Sequence, residues 1–79
     1  MKMNLTLSNS TSLPRRFQLE PWGGIYSIPE RGAVRVEIDS PSTPVMELEV
    51  QDDIILVIVQ GPAGADAFVY DGEHRVKAR

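Results

Sequence analysis

The sequence predicts an all-β fold, either a small antiparallel β-sandwich or a barrel of seven or eight short strands. Apolar side chains recur at almost every second position, and no stretch of about a dozen residues repeats them at helical spacing. Groups of Pro, Gly, Ser and Asp separate the alternating stretches at intervals of about eight to twelve residues, which is typical of sandwiches and barrels. We expect one domain spanning residues 1–79.

The N-terminal stretch predicts two strands joined by the polar loop SNSTSLP. Residues 2–7 and 15–20 alternate apolar with polar side chains, and the apolar members are Met3, Leu5, Leu7, Phe17 and Leu19. Proline at position 21 lacks a backbone donor, so the second strand ends there or lies at a sheet edge.

A short strand over residues 23–29 and a longer one over residues 33–39 follow. The PERG sequence between them predicts a turn, in which Pro29 fixes φ and Gly32 adopts a positive φ. The stretch AVRVEID has the clearest alternation in the chain, and its core-facing residues are predicted to be Val34, Val36 and Ile38.

After the breaking sequence SPSTP, the stretch VMELEV at residues 45–50 predicts another half-buried strand. We expect its buried side chains to be Met46, Leu48 and Val50, with Glu47 and Glu49 facing water.

The stretch IILVIV at residues 54–59 is apolar on both faces, as expected of a central strand covered on each side, and a subunit interface could supply one cover. Residues 60–66, QGPAGAD, predict a loop because two glycines and a proline do not suit a strand. The last two strands, AFVY and EHRVKA, are predicted to form a hairpin. Asp71 and Gly72 would be the central residues of a type I′ turn, both with positive φ.

Charge and composition exclude several classes of function. Eleven acidic and eight basic residues give a net charge of −3, which disfavours nonspecific attraction to nucleic acid or anionic membranes. Cysteine is absent, so disulfides and thiolate metal sites are excluded. The first residues contain no apolar stretch typical of a signal peptide or membrane span, and we expect a cytoplasmic location.

No residue pattern predicts an enzyme or a cofactor site. His74 is the single histidine, whereas zinc and copper sites need two or three nitrogen or sulfur ligands, so no metal is expected. A catalytic triad would have to join Ser40 or Ser42 to His74 and Asp71, without the glycines of a nucleophile elbow. Carboxylates brought together by folding leave a small hydrolase or isomerase as a third interpretation.

The stretch around the one tryptophan is the strongest candidate for a binding site. Glu20, Trp22, Tyr26 and Arg16 combine aromatic area with charge, a composition favoured at binding hot spots. The alternative is that Trp22 belongs to the core, because a domain with five aromatic residues needs large rings there.

Residues 17–38, FQLEPWGGIYSIPERGAVRVEI, resemble a group of small uncharacterised bacterial proteins that share an LEPWG-type strand, an aromatic residue, a Pro/Gly turn and a second strand. The PERG turn departs from the Pro-Pro-Gly turn of that group. The resemblance implies a bacterial β domain of unknown function and no catalytic residue.

Taken together, these observations predict a non-enzymatic interaction domain that forms a homodimer or binds another protein. The doubly apolar strand and the edge-like strands near Pro21 and Pro29 favour this hypothesis. The alternative is a small-ligand or carbohydrate-binding module that uses the Trp22 and Tyr26 region.

Overall fold

A computed structural model describes residues 1–60 and 63–79, and these residues form eight strands in two four-stranded sheets. The strands are β1 (Lys2–Asn9), β2 (Arg15–Glu20), β3 (Gly24–Ile28), β4 (Gly32–Asp39), β5 (Val45–Val50), β6 (Ile55–Gln60), β7 (Asp66–Asp71) and β8 (His74–Lys77). The all-β prediction is therefore confirmed, and the architecture is a sandwich of two sheets.

The first sheet has the strand order β1-β4-β7-β8, and every neighbouring pair is antiparallel. The predicted alternation of AVRVEID is confirmed, because its valines and isoleucine are buried. β1 is two residues longer than predicted, because Ser8 and Asn9 continue the pairing with the start of β4. The buried side chains on the inward face of this sheet are Leu7, Val34, Val36, Ile38, Ala67 and Val69.

The second sheet has the order β3-β2-β6-β5, and its central pair departs from the purely antiparallel expectation. β2 and β6 are parallel, whereas β2 with β3 and β5 with β6 are antiparallel. The reason is that each connection reverses the chain direction, so two strands an even number of steps apart run the same way. β2 ends at Glu20 as Pro21 predicts, but β2 is an internal strand and β3 is the edge.

The core lies between the sheets and is made of aliphatic side chains and one phenylalanine. Phe17, Leu19 and Val57 of the second sheet are fully buried against the first sheet. β6 is central as predicted. Its Val57 and Val59 are buried in the core, and its outward Leu56 and Ile58 are partly buried. Leu5, Trp22, Tyr26, Met46 and Ile55 pack around this cluster.

The turn between β3 and β4 forms at PERG, but the prediction for Gly32 is wrong. The Gly32 amide donates to the Pro29 carbonyl at 3.1 Å, and the residue with positive φ is Arg31, at 49°. Gly32 already belongs to β4. A Cβ atom at Gly32 would lie 2.8 Å from Cγ of Pro29, so close approach favours glycine there.

The β7–β8 hairpin is confirmed, but its turn differs from the predicted type I′. Asp71 pairs with His74, so the two loop residues are Gly72 and Glu73. Gly72 has a φ of 60°, and neither Asp71 nor Glu73 has a positive φ. A positive φ at the first loop residue alone is the pattern of a type II′ turn, which glycine also favours. The predicted loop over residues 60–66 includes residues 61 and 62, which lie outside the described residues.

Asn9, at the end of β1, ties both sheets together at one end of the sandwich. The side chain is 5 % exposed, and its Nδ2 donates to the carbonyls of Leu13, Ile28 and Pro29 at 2.8, 3.3 and 3.2 Å. Its Oδ1 accepts from the amide and the hydroxyl of Thr11 at 3.0 and 2.7 Å. One amide side chain thus fixes the β1–β2 loop against the end of β3.

We expect Asn9→Ala to lower the free energy of unfolding by about 2–3 kcal/mol, because it leaves several partly buried polar groups without a partner. Urea unfolding measures this change. The matched control is Asn4→Ala in the same strand. Asn4 is exposed and accepts from Arg35 on the surface, so the control should cost about 0.5 kcal/mol or less. Equal losses for the two variants would contradict the role of Asn9.

Candidate functional site

The two sheets are closed on one side of the sandwich and open on the other. β3 approaches both β1 and β4, so the sheets meet along that side. In the strand orders, β8 lies at the edge of the first sheet away from β1, and β5 lies at the edge of the second sheet away from β3. We call this second side, which carries Leu48 and Val50 of β5 and Val76 of β8, the open side.

The predicted burial of Leu48 and Val50 is wrong. Met46, Leu48 and Val50 pair with Val59, Val57 and Ile55 of β6 and therefore point toward the core-facing side of the sheet. Only Met46 packs against the core, whereas Leu48 is 50 % exposed and Val50 is 78 % exposed. Both residues lie on the edge strand of their sheet, at the margin of the sandwich.

β8 repeats this arrangement on the first sheet. All four of its residues are exposed. Val76 pairs with the buried Val69, so it points to the core-facing side, yet it is 40 % exposed. The open side therefore presents aliphatic side chains from the edges of both sheets, in the position where a closed sandwich would bury them.

The outward faces of the two edge strands carry opposite charges. β5 has Glu47 and Glu49 on its outward face, and β8 has Arg75 and Lys77 on its own. All four residues are exposed. The open side thus has an acidic margin on one sheet and a basic margin on the other.

These charged groups make surface contacts within the same chain. The Arg75 guanidinium lies 3.9 Å from the centre of the Phe68 ring, and the Lys77 ammonium lies 3.6 Å from a carboxylate oxygen of Asp66. The Glu49 carboxylate accepts from Gln51 at 3.0 Å. Stacking uses the face of a guanidinium and leaves its N–H edges available to a carboxylate.

The sequence interpretation did not anticipate the aromatic pair on the outward face of β7. Phe68 and Tyr70 point outward because the smaller Ala67 and Val69 face the core. The Arg35 guanidinium lies 3.9 Å from the centre of the Tyr70 ring, on the side opposite β8. The alternation of AFVY predicts that Phe68 and Tyr70 share one face of β7, but it does not show whether that face points inward or outward.

The four residues of the predicted binding site do not form one cluster. Trp22 and Tyr26 pack around the core, and the Tyr26 ring stacks on Phe17 with the ring centres 5.4 Å apart. Arg16 and Glu20 lie on the outward face of β2, separated by about 13 Å of strand. Trp22 follows Glu20 in the turn at the far end of β2 from Arg16.

Arg16 and Tyr26 line the same shallow groove, which has a volume of about 590 Å³. The Arg16 guanidinium lies 3.7 Å from the carboxylate of Asp53, which also lines this groove. A second cavity of about 320 Å³ lies at the same end of the sandwich, next to Asn9 and the end of β5. Two of the four candidate residues are thus brought together, and the other two are not.

The residues considered for catalysis lie apart. Ser40 follows Asp39, which pairs with Asp66, whereas Asp71 and His74 lie at the other end of the first sheet, about 17 Å along β7. Within residues 1–60 and 63–79, no group of three His, Cys, Asp or Glu side chains is placed to hold a metal ion. No helix in the described part of the chain is long and apolar enough to span a membrane.

Comparison with known proteins found no matching family model, no matching curated protein and no matching solved structure. The resemblance of residues 17–38 to small bacterial proteins stays a prediction.

The packing of Trp22 predicts its fluorescence. We expect the emission maximum of the native protein to lie at shorter wavelength than that of the urea-unfolded chain, with weaker quenching by iodide, because the indole packs against the core. The single tryptophan makes both signals specific to this position. Emission and quenching that do not change on unfolding would contradict this placement.

Proposed function

We propose that this chain is a non-enzymatic, cytoplasmic interaction domain that self-associates through its open side. The observation that carries the proposal is the exposure of Leu48 and Val50 on the core-facing side of β5. Core-facing side chains of an edge strand are normally covered, and an uncovered row of them next to an unpaired strand edge is typical of surfaces that bind another chain.

Association would bury these side chains and would pair the outer backbone edge of β5. Removing an aliphatic side chain from water stabilises by about 1–2 kcal/mol when half or more of it is exposed. Leu48, Val50 and Val76 are each at least 40 % exposed, and a two-fold dimer buries each of them twice. The exposed apolar area therefore favours dimerisation of a chain whose own core is small.

The proposal is tested by the mass of the native protein in sedimentation equilibrium. We expect a dimer at micromolar concentrations. We expect Leu48→Ser with Val50→Ser to raise the dimer dissociation constant at least tenfold, which corresponds to a loss of about 1.4 kcal/mol or more of association free energy. The stability of the isolated domain should change little, because both side chains are largely exposed.

The matched control is Ile25→Ser on the closed side. Ile25 is 55 % exposed on the edge strand β3, so its substitution removes exposed apolar area at a distance from the open side. The control should keep the wild-type dissociation constant. A wild-type chain that stays monomeric up to about 100 μM, or equal weakening by the control, would overturn the proposal.

A further inference from the structure

From the geometry of the two edge strands we infer how the copies pair: β5 of each copy lies antiparallel to β8 of the other. This inference rests on the proposed self-association and specifies its contacts. The resulting dimer has two continuous sheets, in each of which the second sheet of one copy joins the first sheet of the other. The alternative two-fold arrangement pairs β5 with β5 and β8 with β8.

Strand direction permits this pairing. The turn at Pro29–Gly32 reverses the chain between β3 and β4, and the pairings within each sheet fix the direction of the other strands. They make β5 and β8 run in opposite directions within one copy. A two-fold axis parallel to the strands preserves these directions and brings β5 of one copy beside β8 of the other. The core-facing sides of the joined sheets then point the same way.

Charge selects this arrangement over the alternative. Pairing β5 with β5 would place Glu47 and Glu49 next to the same residues of the second copy, and pairing β8 with β8 would place the basic residues together. Like charges directly opposite each other in a sheet are destabilising, whereas opposite charges stabilise. Pairing β5 with β8 replaces both sets of repulsions with attractions.

One register satisfies both faces at once. When Leu48 lies opposite Val76 of the second copy, Glu47 lies opposite Lys77 and Glu49 lies opposite Arg75. A shift of two residues in one direction places Glu49 opposite Glu73, and a shift in the other direction places Glu47 opposite Arg79, which lies beyond the end of β8. The same register places Val50 opposite His74, so all four residues of β8 are paired. Leu48 and Val76 of both copies then meet between the joined sheets.

The test uses two charge-reversed chains. One carries Glu47→Lys with Glu49→Lys, and the other carries Arg75→Glu with Lys77→Glu. Each chain alone would oppose like charges in both strand pairs, and we expect its dimer to dissociate at least about tenfold more readily than the wild type. An equimolar mixture should form a heterodimer with about wild-type affinity, because both strand pairs then join opposite charges.

Cysteine pairing gives an independent measurement, because the natural chain has no cysteine. A mixture of Leu48→Cys and Val76→Cys chains should form a disulfide-linked heterodimer under mild oxidation, since directly opposite Cβ atoms lie about 4.5–5.5 Å apart. Each variant alone should form little covalent dimer. This measurement does not depend on Arg75 or Lys77, so it holds if charge reversal disturbs their contacts with Phe68 and Asp66.

The outcomes separate the pairing from the self-association itself. A wild-type dimer that needs Leu48 and Val50, but whose charge-reversed chains dimerise alone as tightly as the wild type and whose Leu48→Cys chain links to itself, would overturn the β5–β8 pairing and keep the proposed function. A wild-type chain that is monomeric would overturn both. Complementation in the mixture together with selective linkage of position 48 to position 76 would establish the pairing.

Discussion

The buried amide of Asn9 is the contact on which the shape of this domain depends. It joins the end of β1 in one sheet to the carbonyls that end β3 in the other, and it holds the loop between β1 and β2 in the same set of hydrogen bonds. A buried polar network of this kind is stabilising only when its members are satisfied. Among the described residues no buried side-chain nitrogen or oxygen lacks a partner. Asn9 therefore fastens the sheets at one end of the sandwich, on the side where β3 approaches β1 and β4.

The opposite side has no equivalent fastening in the part of the chain that the structure describes. The fully buried side chains come from the inner strands and from β3, whereas β5 and β8 contribute exposed aliphatic residues. A chain of this length buries a limited apolar area, and here the core covers the closed side and the centre. The proposed dimer follows from this asymmetry, because a second copy presents strand edges, apolar side chains and charges that complement those of the open side.

Most of the fold could be predicted from the sequence, because a period of two identifies the strands and, where apolar residues alternate with polar ones, the face that each strand buries. The alternation of AVRVEID and the hairpin near Gly72 are examples. The alternation of VMELEV predicted the correct face for Leu48 and Val50 but not their exposure, since periodicity shows the direction of a side chain and not what lies above it.

The parallel β2–β6 pair and the positive φ of Arg31 depend on how distant strands meet, which local sequence does not encode. Of the four predicted site residues, Arg16 and Tyr26 lie together. The open side could not be predicted, because it depends on which strands lie at the edges of the sheets.

Hydrogen exchange of backbone amides at two protein concentrations shows whether a second copy covers the open side, because it reports each strand separately. If the copies associate through the open side, exchange in β5 and β8 slows as the concentration rises through the dimer dissociation constant, while exchange in β1 and β3 stays the same. Concentration-dependent protection of β1 or β3 would show that the copies meet on the closed side. Uniform exchange at all concentrations would show that the open side remains uncovered. Either result would contradict association through β5 and β8.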